Sequence, residues 1–423
     1  MKLLFFINTS VKSSSLIFGF VISVVLSNFY GAATLGIYTL FITWLNLLLL
    51  FTRGGQDRVL LKELSEESST AKAQGLALFD AVILSAVLSI IAGLFLLLFY
   101  DFGLINIPST VSSTLFLACL TAVLLTRAVQ TIVVTALRAK ERVTLANFLE
   151  SVPFNLLFLL VLLGIALSQL TQTTEQVLWW YLLVSTLVTL LSVSTLRQHF
   201  LYHAQCSIKS LVERFKHGLP FILIFGTTTL NTSIDSIMVN QFLPIEQLAY
   251  YNVALKLSSL VQFGLVIATS LVMAQFATLY RQGKVEQLNT LIIKTRLLAL
   301  SLAVPVVLVL YLAGGYIMAV WGQEFIAANQ ATLILATAQL INVAFGPIGV
   351  MLTIVGKEKQ VLYWSAVTLA INTLGNYVLV PIWGIEGAAI STAVAVVLEN
   401  VLFYLIAKRQ GILVSSSKAG RIS

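Results

Sequence analysis

Three charged side chains lie deep inside apolar runs, where a membrane-spanning helix tolerates them only for a reason: Arg127, Asp235 and Lys256. Charges buried in hydrocarbon face a bundle interior or a water-filled cavity, because exposure to lipid is too costly. Asp235 lies eight residues before Leu243, and Lys256 lies eight after Leu248. In an antiparallel helical hairpin both then sit roughly 12 Å from the outer ends. Each belongs to a polar stripe at helical spacing: Thr228, Asn231 and Asp235 on the first helix, and Asn252, Lys256 and Ser259 on the second. Such a pair either locks two helices together or lines a wall that meets water and a polar solute. Arg127 falls about 15 residues into its run, near the midplane. Thr131 and Thr135 share its face, and Gln130 is beside it. A guanidinium stays charged and grips phosphate through a planar fork, so Arg127 suits a phosphorylated or acidic solute. The alternative is an architectural ion pair with Glu150.

Glu150 and Glu399 are further carboxylates inside apolar runs. Each could relay a proton or complete a cation site, or be a neutral packing residue, since burial disfavours the charged form. Arg53, Arg58 and Lys62 read either as a basic vestibule for anionic head groups or as plain topology determinants. Pro153, Pro220, Pro305 and the Gly346-Pro347-Ile348-Gly349 stretch interrupt helical runs. Among them Gly346, Pro347 and Gly349 form the candidate hinge, against a static kink. His199, His203 and Cys206 have loose metal-ligand spacing but no fourth ligand, and read as a solvated loop. The sequence has no nucleotide phosphate loop, zinc-protease motif or nucleophile elbow, so neither an enzyme nor a cofactor is expected.

The elements that must position these groups follow from composition. Of 423 residues 58% are hydrophobic and only 10% charged, with a mean hydropathy of +0.96. That is an integral membrane protein, and runs without period-2 alternation make it helical rather than a barrel. The net charge of +8 reflects topology, not nucleic acid. The two cysteines, Cys119 and Cys206, supply no disulfide framework. The hydropathy pattern predicts twelve spans, six within residues 1–200 and six within 217–423, joined by a cytoplasmic linker at 201–216. Of the 25 Lys and Arg, all but Arg127 and Lys256 fall on one side of that topology, which puts both termini in the cytoplasm. The N-terminal run lacks a small-residue cleavage site and reads as the first span. An internal repeat supports the division: Lys140-Glu141-Arg142 matches Lys357-Glu358-Lys359 at an offset of 217, and the same offset pairs Asn155 with Asn372. Parallel halves of this kind are related by an axis along the membrane normal, with the solute between them.

Several of these stretches resemble one family. They are Gly31-Ala32-Ala33-Thr34-Leu35-Gly36-Ile37-Tyr38, Asp235-Ser236-Ile237-Met238 and Tyr251-Asn252-Val253-Ala254-Leu255-Lys256-Leu257. The closing part is Asn372 to Asn376, followed by Val380-Pro381-Ile382-Trp383-Gly384-Ile385-Glu386-Gly387-Ala388-Ala389-Ile390-Ser391-Thr392. In that order, over nearly the whole chain, they are similar to polysaccharide (O-antigen type) flippases of the multidrug/oligosaccharidyl-lipid/polysaccharide exporter superfamily. The resemblance implies an all-α protein whose two six-helix bundles form a V around a central cavity. It implies a bacterial inner-membrane transporter of undecaprenyl-pyrophosphate-linked oligosaccharide repeat units, driven by H+ or Na+ and working by alternating access. Its partners would be the lipid-linked oligosaccharide, membrane lipids, and a glycan polymerase with its chain-length regulator. On that reading Arg127, Lys256, Asn252, Asn231 and Arg53 contact the substrate, and Asp235, Glu150 and Glu399 couple the ion. Two other functions fit the same residues: a cation-coupled multidrug antiporter, and a non-transporting scaffold for glycan-assembly enzymes.

Overall fold

A computed structural model describes residues 2–65, 71–103, 105–168, 173–196 and 207–412. The described residues are helical throughout, without a strand. The chain divides into two compact units, Met1–Ser233 and Ile234–Ser423, with the boundary inside a helix. His199, His203, Cys206 and the first part of the 201–216 linker lie outside the described residues, and a helix begins within that linker at Ile208.

The first unit contains α1 (Lys2–Val25), which runs into a π-helical turn at Leu26–Tyr30, then α2 (Ala32–Thr52) and the short polar α3 (Gln56–Ser65). After these come α4 (Ala71–Asp101), α5 (Ser113–Ala139), α6 (Val143–Ser151), α7 (Pro153–Leu167) and α8 (Thr174–Ser194). Helix α9 (Ile208–Phe242) starts in this unit and ends in the next. Proline supplies no backbone N–H, which divides α6 from α7 at Pro153. Helix α5 packs against α2, α4 and α8, so its residues, Arg127 among them, have neighbours on several sides.

The second unit holds the end of α9, then α10 (Ile245–Arg281), α11 (Val285–Met318), a 3-10 turn at Gln323–Ala328, α12 (Asn329–Phe345), α13 (Ile348–Ile354) and α14 (Glu358–Arg409). Helix α10 packs on α11 and α12, and α12 on α14. A straight helix of 52 residues would be about 78 Å long, more than twice the hydrocarbon thickness. The backbone instead turns at Gly384 (φ 60, ψ −139), which makes α14 two consecutive rods.

Nine helices of the described residues are long and apolar enough to cross a membrane, and Ser14–Tyr30 adds a shorter apolar one. Their outward faces carry large apolar side chains such as Phe95, Leu98, Leu312 and Trp383. Water would not support apolar surface on that scale, and the chain is a multi-pass membrane protein. Both halves of the sequence repeat fall at turns between helices. Lys140 and Arg142 flank the α5–α6 turn, and Lys357 caps the start of α14. The paired asparagines also have comparable tasks: Asn155 donates to Ser15 on α1, and Asn372 to Asp235 on α9.

Candidate solute- and ion-binding sites

In the first unit two adjoining cavities share Asn46 and Arg53 in their linings. The larger, about 420 Å³, also meets Asp57, Arg58, Thr229 and Thr232. The smaller, about 180 Å³, also meets Arg127, Gln130, Glu150 and Tyr181. Arg53 sits where α2 gives way to the turn before α3, and its Nε is buried with no hydrogen-bond partner among the described residues.

Arg127 is held by neutral groups. Its guanidinium donates to Gln130 Oε1 at 3.0 Å and to Tyr181 Oη at 3.4 Å, and its Cζ lies 3.8 Å from the centroid of the Phe154 ring. Phe154 reaches it because α7 restarts at Pro153, one residue earlier. Gln130 is fixed in turn by donating to the Leu149 carbonyl at 3.0 Å. The alternative Arg127–Glu150 ion pair is not formed, because Glu150 pairs with Arg138 instead. Among the described residues neither Arg53 nor Arg127 has a carboxylate within ion-pair distance, whereas Arg58 has Asp57 at 3.8 Å. Two guanidiniums outside ion-pair distance of a carboxylate can accept an anion, although Asp57 and Glu150 also border the two cavities.

The second unit gathers polar groups on Asp235, which is only 3% exposed. Its Oδ1 accepts from Asn372 Nδ2 at 2.8 Å and Asn376 Nδ2 at 2.7 Å. Its Oδ2 accepts from Thr392 Oγ1 at 2.7 Å and Tyr251 Oη at 3.2 Å. Asn372 is braced by Ser391, whose hydroxyl donates to its backbone and side-chain carbonyls at 2.8 and 2.9 Å. Asn376 Oδ1 is buried and unpartnered among the described residues. The carboxylate thus has four donors from α10 and both rods of α14, and none of these described bonds comes from Lys256. A buried carboxylate within an oxygen-rich shell can exchange a hydrogen-bond donor for a proton or a small cation.

Lys256, Asn252 and Asn231 are half-buried. Glu399 accepts from Ser365 Oγ at 2.5 Å and borders a separate cavity in the second unit, as do Gly346, Pro347 and Gly349. The helical break predicted there is present: α12 ends at Phe345, Gly346 has φ 83, and α13 begins at Ile348. The sequence reading missed Tyr251, Asn372, Asn376, Thr392, Phe154 and Tyr181 as site residues. The i, i+4 spacing of Asn372 and Asn376 puts them on one helical face, a signal that could have found them. Nothing local connects Phe154 or Tyr181 with Arg127.

A family model described as polysaccharide biosynthesis protein matches residues 5–273. A search of curated protein sequences gives no match. Solved structures share the fold at low identity. One is a multidrug resistance MATE family transporter of the MOP superfamily in an inward-facing conformation (TM-score 0.74, 14% identity, 99% of each chain covered). Another is the lipid II flippase MurJ in an inward closed conformation (TM-score 0.79, 12% identity, 96% of this chain and 88% of that one). A third is a MOP superfamily transporter from Pyrococcus furiosus, described as having a binding pocket of reverse polarity (TM-score 0.58, 14% identity, 97% and 94% covered). With more than half its length matched by the family model and its helices arranged as in these transporters, the chain belongs to the polysaccharide biosynthesis protein family.

Proposed function

We propose that the protein is a flippase carrying an anionic, lipid-linked oligosaccharide across the bacterial inner membrane, with both termini in the cytoplasm. The observation that carries this reading is the pair of guanidiniums, Arg53 and Arg127, bordering adjoining cavities without a carboxylate partner among the described residues. A pyrophosphate or acidic sugar would supply the missing charge, and Asn46, Thr229 and Thr232 offer neutral hydrogen bonds for hydroxyls. Asp235, in its four-donor cage, is the ion-coupling group for H+ or Na+. Lys256, Asn252 and Asn231 are further substrate-binding candidates in this scheme, while Glu150 and Glu399 are accessory carboxylates.

Twelve crossings accommodate the nine long apolar helices, α1, α9 and the turn at Gly384. Transport would proceed by alternating access, with the break at Gly346, Pro347 and Gly349 as hinge, while the lipid tail stays in the bilayer. The test is a deletion strain complemented with wild type, R53M or R127M. The wild type should clear lipid-linked repeat units from the inner leaflet, and both variants should leave them there uncleaved. Normal outer-leaflet delivery in the deletion strain, with no paralogue, rejects the function. Normal delivery by both variants rejects the site. The multidrug resistance likeness makes organic cations the alternative cargo. Drug hypersensitivity of the deletion strain with intact surface glycan would favour it.

A further inference from the structure

The cavity beside Glu399 has a chemistry opposite to that of the arginine-lined pair. It is an open cleft of about 380 Å³ within the second unit, between α10, the α12–α13 break and the second rod of α14. Its polar lining includes Ser270, Asn342, Glu399 and Asn400. Three of these residues each have one donor engaged within the protein. Ser270 Oγ donates to the Ile267 carbonyl, Asn400 Nδ2 to the Val396 carbonyl, and Asn342 Nδ2 to Gln339 Oε1. Among the described residues, Asn342 Oδ1, Asn400 Oδ1 and Glu399 Oε2 accept no hydrogen bond, and no cation lies within ion-pair distance of Glu399. Apart from Thr269, the remaining wall is apolar, with Phe403 and Met273 contributing.

We infer that this cavity binds a substituted ammonium group, with Glu399 as its counter-charge. A carboxylate with no cation at hand, beside two free amide oxygens, favours a ligand that carries positive charge. Volume decides between two kinds of cation. Each water takes about 30 Å³, so a bare metal ion would leave room for roughly ten waters against apolar walls. Alkyl groups on an ammonium fill that space, and an aromatic side chain such as Phe403 can attract the charge through its ring face. The site shares no residue with the arginine-lined cavities, so it stands or falls apart from the proposed cargo.

The experiment follows thermal unfolding of the full-length protein in detergent during titration with tetramethylammonium chloride. NaCl at equal ionic strength and uncharged neopentanol are the controls. Tetramethylammonium should raise Tm saturably by about 2 °C or more, beyond either control. E399Q should abolish the rise, and F403L should raise the half-saturating concentration threefold or more. An equal rise with NaCl or neopentanol, or an undiminished rise in E399Q, overturns the inference. Should E399Q fail to fold, F403L decides: a threefold weakening supports the site, and an unchanged titration overturns it.

Discussion

Replacing Asp235 separates the charge of its cage from the architecture. In D235N the amide oxygen can keep the two bonds from Asn372 and Asn376, while the new NH2 donates to the Thr392 and Tyr251 hydroxyls, which accept as readily as they donate. Four contacts survive as neutral ones. The charge assistance lost, about 1 kcal/mol per contact, is opposed by relief from burying a charge, so the net change should stay within about 2 kcal/mol. D235L removes the acceptor altogether. Tyr251 and Thr392 still have each other at 3.3 Å, and Asn376 Nδ2 still reaches the Asn372 carbonyl at 3.0 Å. Asn372 Nδ2 loses its described partner, and with the lost charge-assisted bonds the cost comes to about 2–4 kcal/mol. Thermal melts of the two variants should therefore differ, with D235L clearly lower. Delivery in proteoliposomes should lose its dependence on a cation gradient in both. A D235N protein that retains wild-type gradient dependence refutes the coupling role. A D235L protein that melts like wild type refutes the account of the cage.

R127K keeps the positive charge but loses the planar contact with Phe154 and one of the two directed bonds, and should lower repeat-unit delivery about tenfold or more, measured by complementation of a deletion strain. G218A puts a methyl group 1.8 Å from the Gly54 carbonyl oxygen, so overpacking should cost about 1–3 kcal/mol and lower Tm. G164A, with nothing within 4 Å of the new methyl, should hold or raise Tm by the better helix propensity of alanine. In intact cells a membrane-impermeant maleimide should label E246C and spare G283C, and the reverse pattern would invert the proposed orientation.

The helical membrane class was legible because apolar run length and scarce charge reflect the bilayer itself. So was the break at Gly346-Pro347, since a proline next to a glycine disrupts the backbone whatever surrounds it. The depth of Asp235 was readable, but its partners were not. Asn372, Asn376 and Thr392 lie more than 130 positions away, and only packing brings them near. Glu150 shows the converse difficulty. Its spacing allowed a bond to Arg127, and the turn after α5 delivered Arg138 to it first. Helical periodicity reports which residues share a face and says nothing about which neighbouring face they meet.

The Phe154 ring covering Arg127 restricts the direction of approach. An incoming anion gains hydrogen bonds on the other sides, along the N–H vectors. Oxyanions whose paired oxygens match that spacing are favoured there, whereas a halide offers only one point of attachment. Cellular chloride would then compete poorly despite its abundance, and phosphoryl, sulfuryl and carboxyl groups would be told apart by shape more than by charge.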